Sequence, residues 1–263
     1  MNVARTKPYG FRPVHVSPAG RPGTPIHQTG EVTEGLQAMV AARFPMAATI
    51  GLVPPPSIPL IPGTALADHA WVEQVIDRRS GRTVDRRVAA TVWWYSVSAV
   101  LVTPALAGLA VGLPLSARLS ETSLAFRSDG LPVAAVSSAP GADTAGELRD
   151  TVAAVVAAVA KAGGMRERPL WAIATDSIAN QLLTLGRALG DVPSVTALAG
   201  PLADGIGGRL PTPRYVDVAG TRFTRRASCC LIDHMPGGAL CTSCPRRPAP
   251  ERQALLEQAA RWF

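Results

Sequence analysis

Apolar positions recur at helical spacing over most of the chain and at strand spacing in two short places. A first helix is expected from Thr33 to Phe44, inside a stretch otherwise interrupted by proline. From Ala65 to Arg79, Leu66, Ala70, Val72, Val75 and Ile76 fall on one helical face, and Ser80-Gly81 supplies a stop. Between Arg87 and Arg118 there is no charge, which leaves an apolar run of about 30 residues, Val88 to Ala117. Pro104 predicts a break in it, giving helices Val84 to Val102 and Pro104 to Val111. The period then changes: Ser123 to Ser128 and Pro132 to Ser137 read as strands joined through Asp129-Gly130, a strong hairpin signal. Thr144 to Ala162 is an Ala/Val-rich helix, with Asp143 or Thr144 as N-cap and Gly163-Gly164 as stop. Arg168 to Leu189 is another, its apolar face carrying Leu170, Ile173, Ile178, Leu182, Leu185 and Leu189, with Gly190 at its end. A further helix is expected from Ser194 to Asp204, then a loop at Gly205 to Gly208. Tyr215 to Val218 and Thr221 to Thr224 form a second hairpin around Ala219-Gly220. The tail Ala249 to Phe263 is a helix offering Leu255, Leu256, Ala259 and Trp262 for docking.

These elements predict an α+β fold, mostly helical, with small antiparallel β-hairpins and a C-terminal extension. Three regions are expected. Residues 1–62 are a proline-rich, partly irregular segment holding 11 of the 24 prolines. Residues 63–224 form the helical and hairpin domain, and residues 225–263 the extension with its docking helix. We expect the first 30 residues to be a mobile or loosely docked tail. They contain no apolar run of the kind a cleavable secretory signal needs, which points to a cytoplasmic protein.

The 30-residue apolar run changes that picture most, because about 20 such residues suffice to cross a bilayer. Against a span stand Thr91, Ser96, Ser98 and Thr103 in its first half and Pro104, Gly108, Gly112 and Pro114 in its second. Arginines flank both ends without an inside/outside bias. We read the run as helix buried in a domain core, with a membrane span as the alternative.

Composition excludes two classes. At 47% hydrophobic and 17% charged, the chain cannot be a disordered acidic or basic polymer. With four cysteines in 263 residues, it is not a disulfide scaffold. A formal net charge of +7, carried almost wholly by arginine, leaves nucleic acid, anionic lipid and acidic proteins open as partners. Aromatic residues suited to base stacking are scarce, so nucleic acid is not expected.

The chemistry is concentrated in the cysteines. Cys229, Cys230, Cys241 and Cys244 lie within 16 residues in the pattern C-C-x10-C-x2-C. In a cytoplasmic chain such clustering marks metal or redox chemistry more often than disulfides. Cys241-Thr-Ser-Cys244 has the spacing that closes on one metal. Neighbouring residues of an extended strand point to opposite faces, so Cys229 and Cys230 reach a common site only where the backbone turns. Structural zinc modules space their paired ligands two to four residues apart, so the adjacent pair suits zinc poorly. A four-cysteine iron-sulfur cluster accepts less regular loops, although the spacing follows neither of the common ferredoxin runs.

Arg225-Arg-Ala-Ser-Cys-Cys-Leu231 followed by Cys241-Thr-Ser-Cys-Pro245 resembles the C-terminal [2Fe-2S] motif of the FhuF-like ferric siderophore reductases. The wider order is similar too: a long apolar helix bearing Trp93 and Trp94, a hairpin, a Leu170-Trp171 helix with Asp176, and the cysteine segment at the end. The resemblance implies that Cys229, Cys230, Cys241 and Cys244 hold a [2Fe-2S] cluster. It further implies one-electron reduction of Fe(III) in a siderophore complex, of hydroxamate type, with release of Fe(II), which hard oxygen donors hold far more weakly. The implied partners are the ferric siderophore and a separate electron donor, a ferredoxin- or flavodoxin-like protein or a reductase. Peripheral association with the inner face of the membrane is compatible with that role.

Other residues are candidates for supporting roles. Arg222, Arg225 and Arg226 either steer the donor and offset the charge of a reduced cluster or are solvated strand arginines. Gly237-Gly238 either offers amides to sulfur or makes a turn. His234 is an alternative ligand on the Rieske pattern. Asp176 either lines a substrate pocket or is a polar face residue, and Trp93-Trp94-Tyr95 is core or pocket wall. Gly205-x-Gly207-Gly208 lacks the full dinucleotide fingerprint. Two further functional readings remain beside the reductase. One is a zinc-stabilised basic interaction or nucleic-acid-binding module, and the other a siderophore-binding protein that does not reduce iron.

Overall fold

A computed structural model describes residues 30–262, and the expected N-terminal tail lies outside them. The described residues form α1 (Gly30–Ala41), β1 (Leu60–Pro62), α2 (His69–Ser80), α3 (Arg86–Ala110), β2 (Thr122–Phe126) and β3 (Pro132–Ser137). There follow α4 (Thr144–Gly163), α5 (Glu167–Leu189), α6 (Val192–Ala197), α7 (Ala199–Ile206), β4 (Tyr215–Val218), β5 (Thr221–Thr224) and α8 (Ala249–Ala260). The fold is α+β and mostly helical, with one three-stranded and one two-stranded antiparallel sheet.

α3 is the axis. It packs on α1, α2, α4, α5 and β3, and Trp93, Trp94, Val97, Val102 and Leu106 along it are fully buried. Among the described residues α3 is the one helix long and apolar enough to cross a membrane, and 72% of its most apolar window is buried by the rest of the chain. Its threonines and serines are bonded internally: Thr91 and Thr103 bond the carbonyls of Arg87 and Ala99, Ser96 that of Val92, and Ser98 Oγ meets Ser177 Oγ of α5 at 2.7 Å.

α3 runs unbroken through Pro104, which corrects the expected division into two helices. Proline removes the amide that would bond Val100 O. The turn before it is tied instead through Ala99 O, which accepts from Thr103 Oγ1 at 2.8 Å and from Gln181 Nε2 of α5 at 3.0 Å. Burial of residues 101–108 on neighbouring elements holds the helix past the proline.

Elsewhere the caps explain the boundaries. Asp68 sits extended and accepts from the Ala70 and Trp71 amides, so the single helix expected over 65–79 is a short 3-10 turn followed by α2. α4 starts at its N-cap Asp143 and stops at Gly164 in the left-handed region. The helix expected over 194–204 is two, α6 and α7, because Pro201 lacks the amide that would bond Ala197 O across the junction. β2 and β3 pair as expected around Asp129-Gly130.

β1 lies in the proline-rich stretch and pairs with β2, Ile61 opposite Leu124, as an edge strand where proline is tolerated. Val40, Phe44 and Leu52 from the same stretch belong to the common core. Gln37 of α1 ties the parts together: its amide donates to Leu52 O and Ala135 O and its carbonyl accepts from Ser137 N. The β4–β5 hairpin turns at Ala219-Gly220, both with positive φ, and lies against α5, so the cysteine segment leaves β5 beside α3 and α5.

Candidate metal centre

Beyond β5 the chain leaves the sheet and bends at Ala227 and Ser228, while burial alternates with a period of two. Thr224, Arg226, Ser228 and Cys230 face inward, Arg225 and Ala227 outward, and Cys229 is half-buried. The run ends at Leu231, whose φ of 59° and ψ of 20° place it in the left-handed region. This conformation costs a residue with a side chain roughly 1–2 kcal/mol, and it turns the chain into the 3-10 turn Ile232–His234. The return needs glycine. A Cβ at Gly238 would sit 1.8 Å from Ile232 O. The Gly238 amide donates to Met235 O at 2.9 Å, so this pair makes a turn and that amide is not free for sulfur. The second arm is a tight turn in which Cys244 N–H donates to Cys241 O at 3.2 Å, with Arg247 Nε on the same carbonyl at 2.9 Å.

The four thiols come together as two pairs. Cys229 Sγ lies 3.8 Å from Cys244 Sγ, and Cys230 and Cys241 meet on Arg226 Nη1, their sulfurs 3.7 and 3.3 Å from it. Each pair takes one cysteine from the adjacent doublet and one from C-x2-C, so Cys241 does not close with Cys244 as its spacing suggested. The doublet serves both pairs, one thiol to each. Among the described residues no group of three or more His, Cys, Asp or Glu is gathered for a single ion. Two pairs of thiolates are the donor set that two irons require.

Arg226 links this centre to the core. Its side chain is 3% exposed, its guanidinium carbon lies 4.8 Å from the centre of the Tyr95 ring, and Nη1 reaches Cys241 Sγ at 3.3 Å and Cys230 Sγ at 3.7 Å. Nε pairs at 3.3 Å with Asp176 of α5, itself 1% exposed. Asp176 also accepts from the Ala227 and Ser228 amides at 2.7 and 3.1 Å and from Ser228 Oγ at 2.6 Å, so one buried carboxylate fixes three successive residues before the cysteines. Burial works against the Arg226 charge, but Tyr95, Asp176 and the thiols in their ionised forms outweigh it and raise its pKa. The Cys230 thiol is lowered by the bond from Cys241 and by Arg226, despite burial; Cys241 is raised by donating that bond and by its own burial. Burial raises Tyr95.

Arg226 Nη2 is buried beside the thiols without a hydrogen-bond partner. A buried donor of this kind is costly unless something accepts from it. The sulfur atoms of an iron-sulfur cluster are such acceptors, so the residues present fit the group.

Around the second pair the setting differs. Arg246 Nη1 reaches Asp233 Oδ2 at 2.7 Å, His234 Nε2 at 3.0 Å and Cys229 Sγ at 4.0 Å, and its side chain is largely exposed. His234, the alternative ligand, therefore faces Arg246 and stands outside the thiol pairs. Arg222 makes a two-pronged pair with Asp217 at 2.8 and 2.9 Å and reaches Thr196 Oγ1, with no bond to the thiols, while Arg225 is exposed. Asp176 is neither a pocket wall nor a solvated face residue, which corrects both readings of it. Trp93 and Trp94 are core, and Tyr95 is a wall. The anchoring role of Asp176 and the split of the three arginines were missed. The signal was the period of two running on from the hairpin, which puts Arg226 in phase with Cys230.

Residues 226–246 match the family model of the FhuF 2Fe-2S C-terminal domain. The match opens on Arg226 and closes on Arg246, enclosing all four cysteines and the two arginines that reach their sulfurs. No curated protein matches the chain. The matched domain is a 2Fe-2S domain, and it indicates an iron-sulfur role of the siderophore-iron reductase kind.

Proposed function

We propose that the protein reduces Fe(III) held in a siderophore complex of hydroxamate type, in the cytoplasm, using a [2Fe-2S] cluster held by Cys229, Cys230, Cys241 and Cys244. The observation that carries this reading is the division of the four thiols into two pairs, with the buried Arg226 on one of them, inside the matched segment. When bound, the cluster supplies one-electron transfer, which takes Fe(III) to Fe(II) and thereby loosens the hold of hard oxygen ligands. The chain's own residues do the rest. Asp176 fixes the approach of residues 226–228, Leu231 and Gly238 shape the loop, and Arg247 holds its second arm. Arg226 sets a permanent positive charge against the pair Cys230/Cys241, which offsets negative charge gained there on reduction. No proton-transferring side chain is needed, because the step moves an electron and breaks no covalent bond. The electron comes from a separate ferredoxin- or flavodoxin-like donor or a reductase.

The test is anaerobic purification with iron, sulfide and zinc assayed on one sample, spectra before and after dithionite, and Fe(II) trapping after addition of a ferric trihydroxamate. Two irons and two sulfides per chain, a spin-half signal on reduction and trapped Fe(II) are expected. A colourless protein carrying zinc, still colourless after anaerobic reconstitution, would overturn the reading. A cluster that reduces normally but yields no Fe(II) from any chelate would leave a binding protein in its place. Fractionation of cells tests the compartment: recovery in the membrane fraction after a salt wash would overturn the cytoplasmic assignment.

A further inference from the structure

A cavity of ≈ 320 Å³ opens between α3 and α5 beneath the cysteine loop. Its size is near the low end of the range of about 300–1,000 Å³ that ligand sites occupy. Of the four cysteines, Cys241 lines it. Tyr95 gives an aromatic wall, and Asn180 and Thr184, one turn apart on the same face of α5, bring an amide and a hydroxyl. Ser96 and Ser177 of the two helices and Ser243 of the loop add hydroxyls, and Arg226 stands at the end nearest the thiols. None of the described residues lining it carries a carboxylate. Such a lining, rich in neutral hydrogen-bonding groups and with its one cation already paired to Asp176, suits an oxygen-rich ligand that is neutral. A larger cleft of ≈ 400 Å³ at the start of α4 lies among Arg118, Asp143, Glu147 and Arg149 and takes no residue from the cysteine segment.

We propose that the cavity between α3 and α5 is the docking site of the ferric chelate, taking one arm of a neutral trihydroxamate so that its metal-bearing face lies beside Cys241. The cavity is too small for a whole chelate, and its partly open form lets the remainder stay outside. The identity of this ligand rests on the reductase reading above; the cavity and its chemistry do not. The two are separable by a ligand that cannot be reduced.

The probe is the Ga(III) complex of N-acetylated desferrioxamine, neutral and unable to accept an electron, titrated calorimetrically into the cluster-loaded full chain. Thr184→Trp fills the cavity and weakens binding more than tenfold. Asn180→Ala removes one donor and weakens it about three- to tenfold, the loss of one hydrogen bond. Both variants keep the iron and sulfide content and the reduced-state EPR spectrum of the wild type, which a general disturbance of the cysteine loop would not. Unchanged binding in a fully loaded Thr184→Trp, or no binding by the wild type, overturns the proposal. If Thr184→Trp fails to load, Asn180→Ala decides by the same criterion. A wild type that holds no cluster yet binds the gallium complex, and loses it in Thr184→Trp, would remove the reductase reading and leave the docking site standing.

Discussion

Asp176 accepts four hydrogen bonds from Arg226, Ala227 and Ser228 while itself 1% exposed, so its removal strands a buried arginine and two backbone amides. Breaking a buried pair in this way costs about 3–5 kcal/mol. Asp176→Ala is therefore expected to lower unfolding stability by that amount and to lose iron during purification, with Asp176→Asn intermediate; denaturant melts and iron per chain check both. Arg226 is a positioning residue whose charge is its main property. Arg226→Gln is expected to lower the reduction potential on the order of 100 mV, the effect of removing a unit charge a few ångströms away at an effective dielectric near 20. Arg226→Lys restores most of it. Equal shifts in both variants would show that the guanidinium acts through packing and not charge. Cys244, 2% exposed, belongs to the pair with Cys229, and Cys244→Ser is expected to abolish stable cluster binding while leaving the far-UV spectrum of the helices in place. A full iron complement in that variant would remove Cys244 from the ligand set.

At the scale of elements, the two ends of α4 show how much a sequence discloses. Asp143 and Gly164 were readable as its boundaries because capping chemistry is local. Glu147, one turn into the same helix, was not readable. It accepts from Ser116 Oγ, from the Ala117 amide at 3.0 Å and from Arg118 Nε at 3.1 Å, partners that lie about thirty positions away in the chain. Burial pushes its pKa up, but the Ala117 amide and Arg118 outweigh that and hold it below the ordinary carboxylate value. A depressed value means that its contribution is complete above the unfolded pKa and is lost as pH falls through the folded one. Glu147→Gln is thus expected to flatten the acid limb of the stability curve and to cost about 1.5–3 kcal/mol at neutral pH. An unaltered acid limb would contradict this. The same contrast runs through the rest of the fold. The hairpin at Asp129-Gly130, the hairpin at Ala219-Gly220 and the cysteine motif were legible from short-range chemistry. β1, the continuity of α3 through Pro104 and the cavity under Cys241 depend on contacts between distant segments, which no local pattern carries.

For the whole molecule the governing quantity is a net charge of +7, with Arg246 largely exposed beside the Cys229/Cys244 pair. A basic surface speeds encounter with an acidic donor, and salt removes the advantage beyond a Debye length, about 10 Å at 0.1 M. Reduction by an acidic ferredoxin-like donor is expected to slow about tenfold or more from low to physiological salt in stopped-flow traces, while reduction by dithionite hardly changes. A flat salt response would argue for a donor held by apolar contact. The two thiol pairs also have unlike surroundings: Arg226 and the cavity on Cys230/Cys241, the exposed Arg246 with Asp233 on Cys229/Cys244. Delivery and collection of the electron then need not share a doorway. A donor seated over Arg246 leaves the cavity clear, so supplier and recipient can be bound at once, and a surplus of one should not crowd out the other. In steady-state terms, raising the donor past saturation does not raise the KM for the chelate further, and the traffic runs through the protein in one direction.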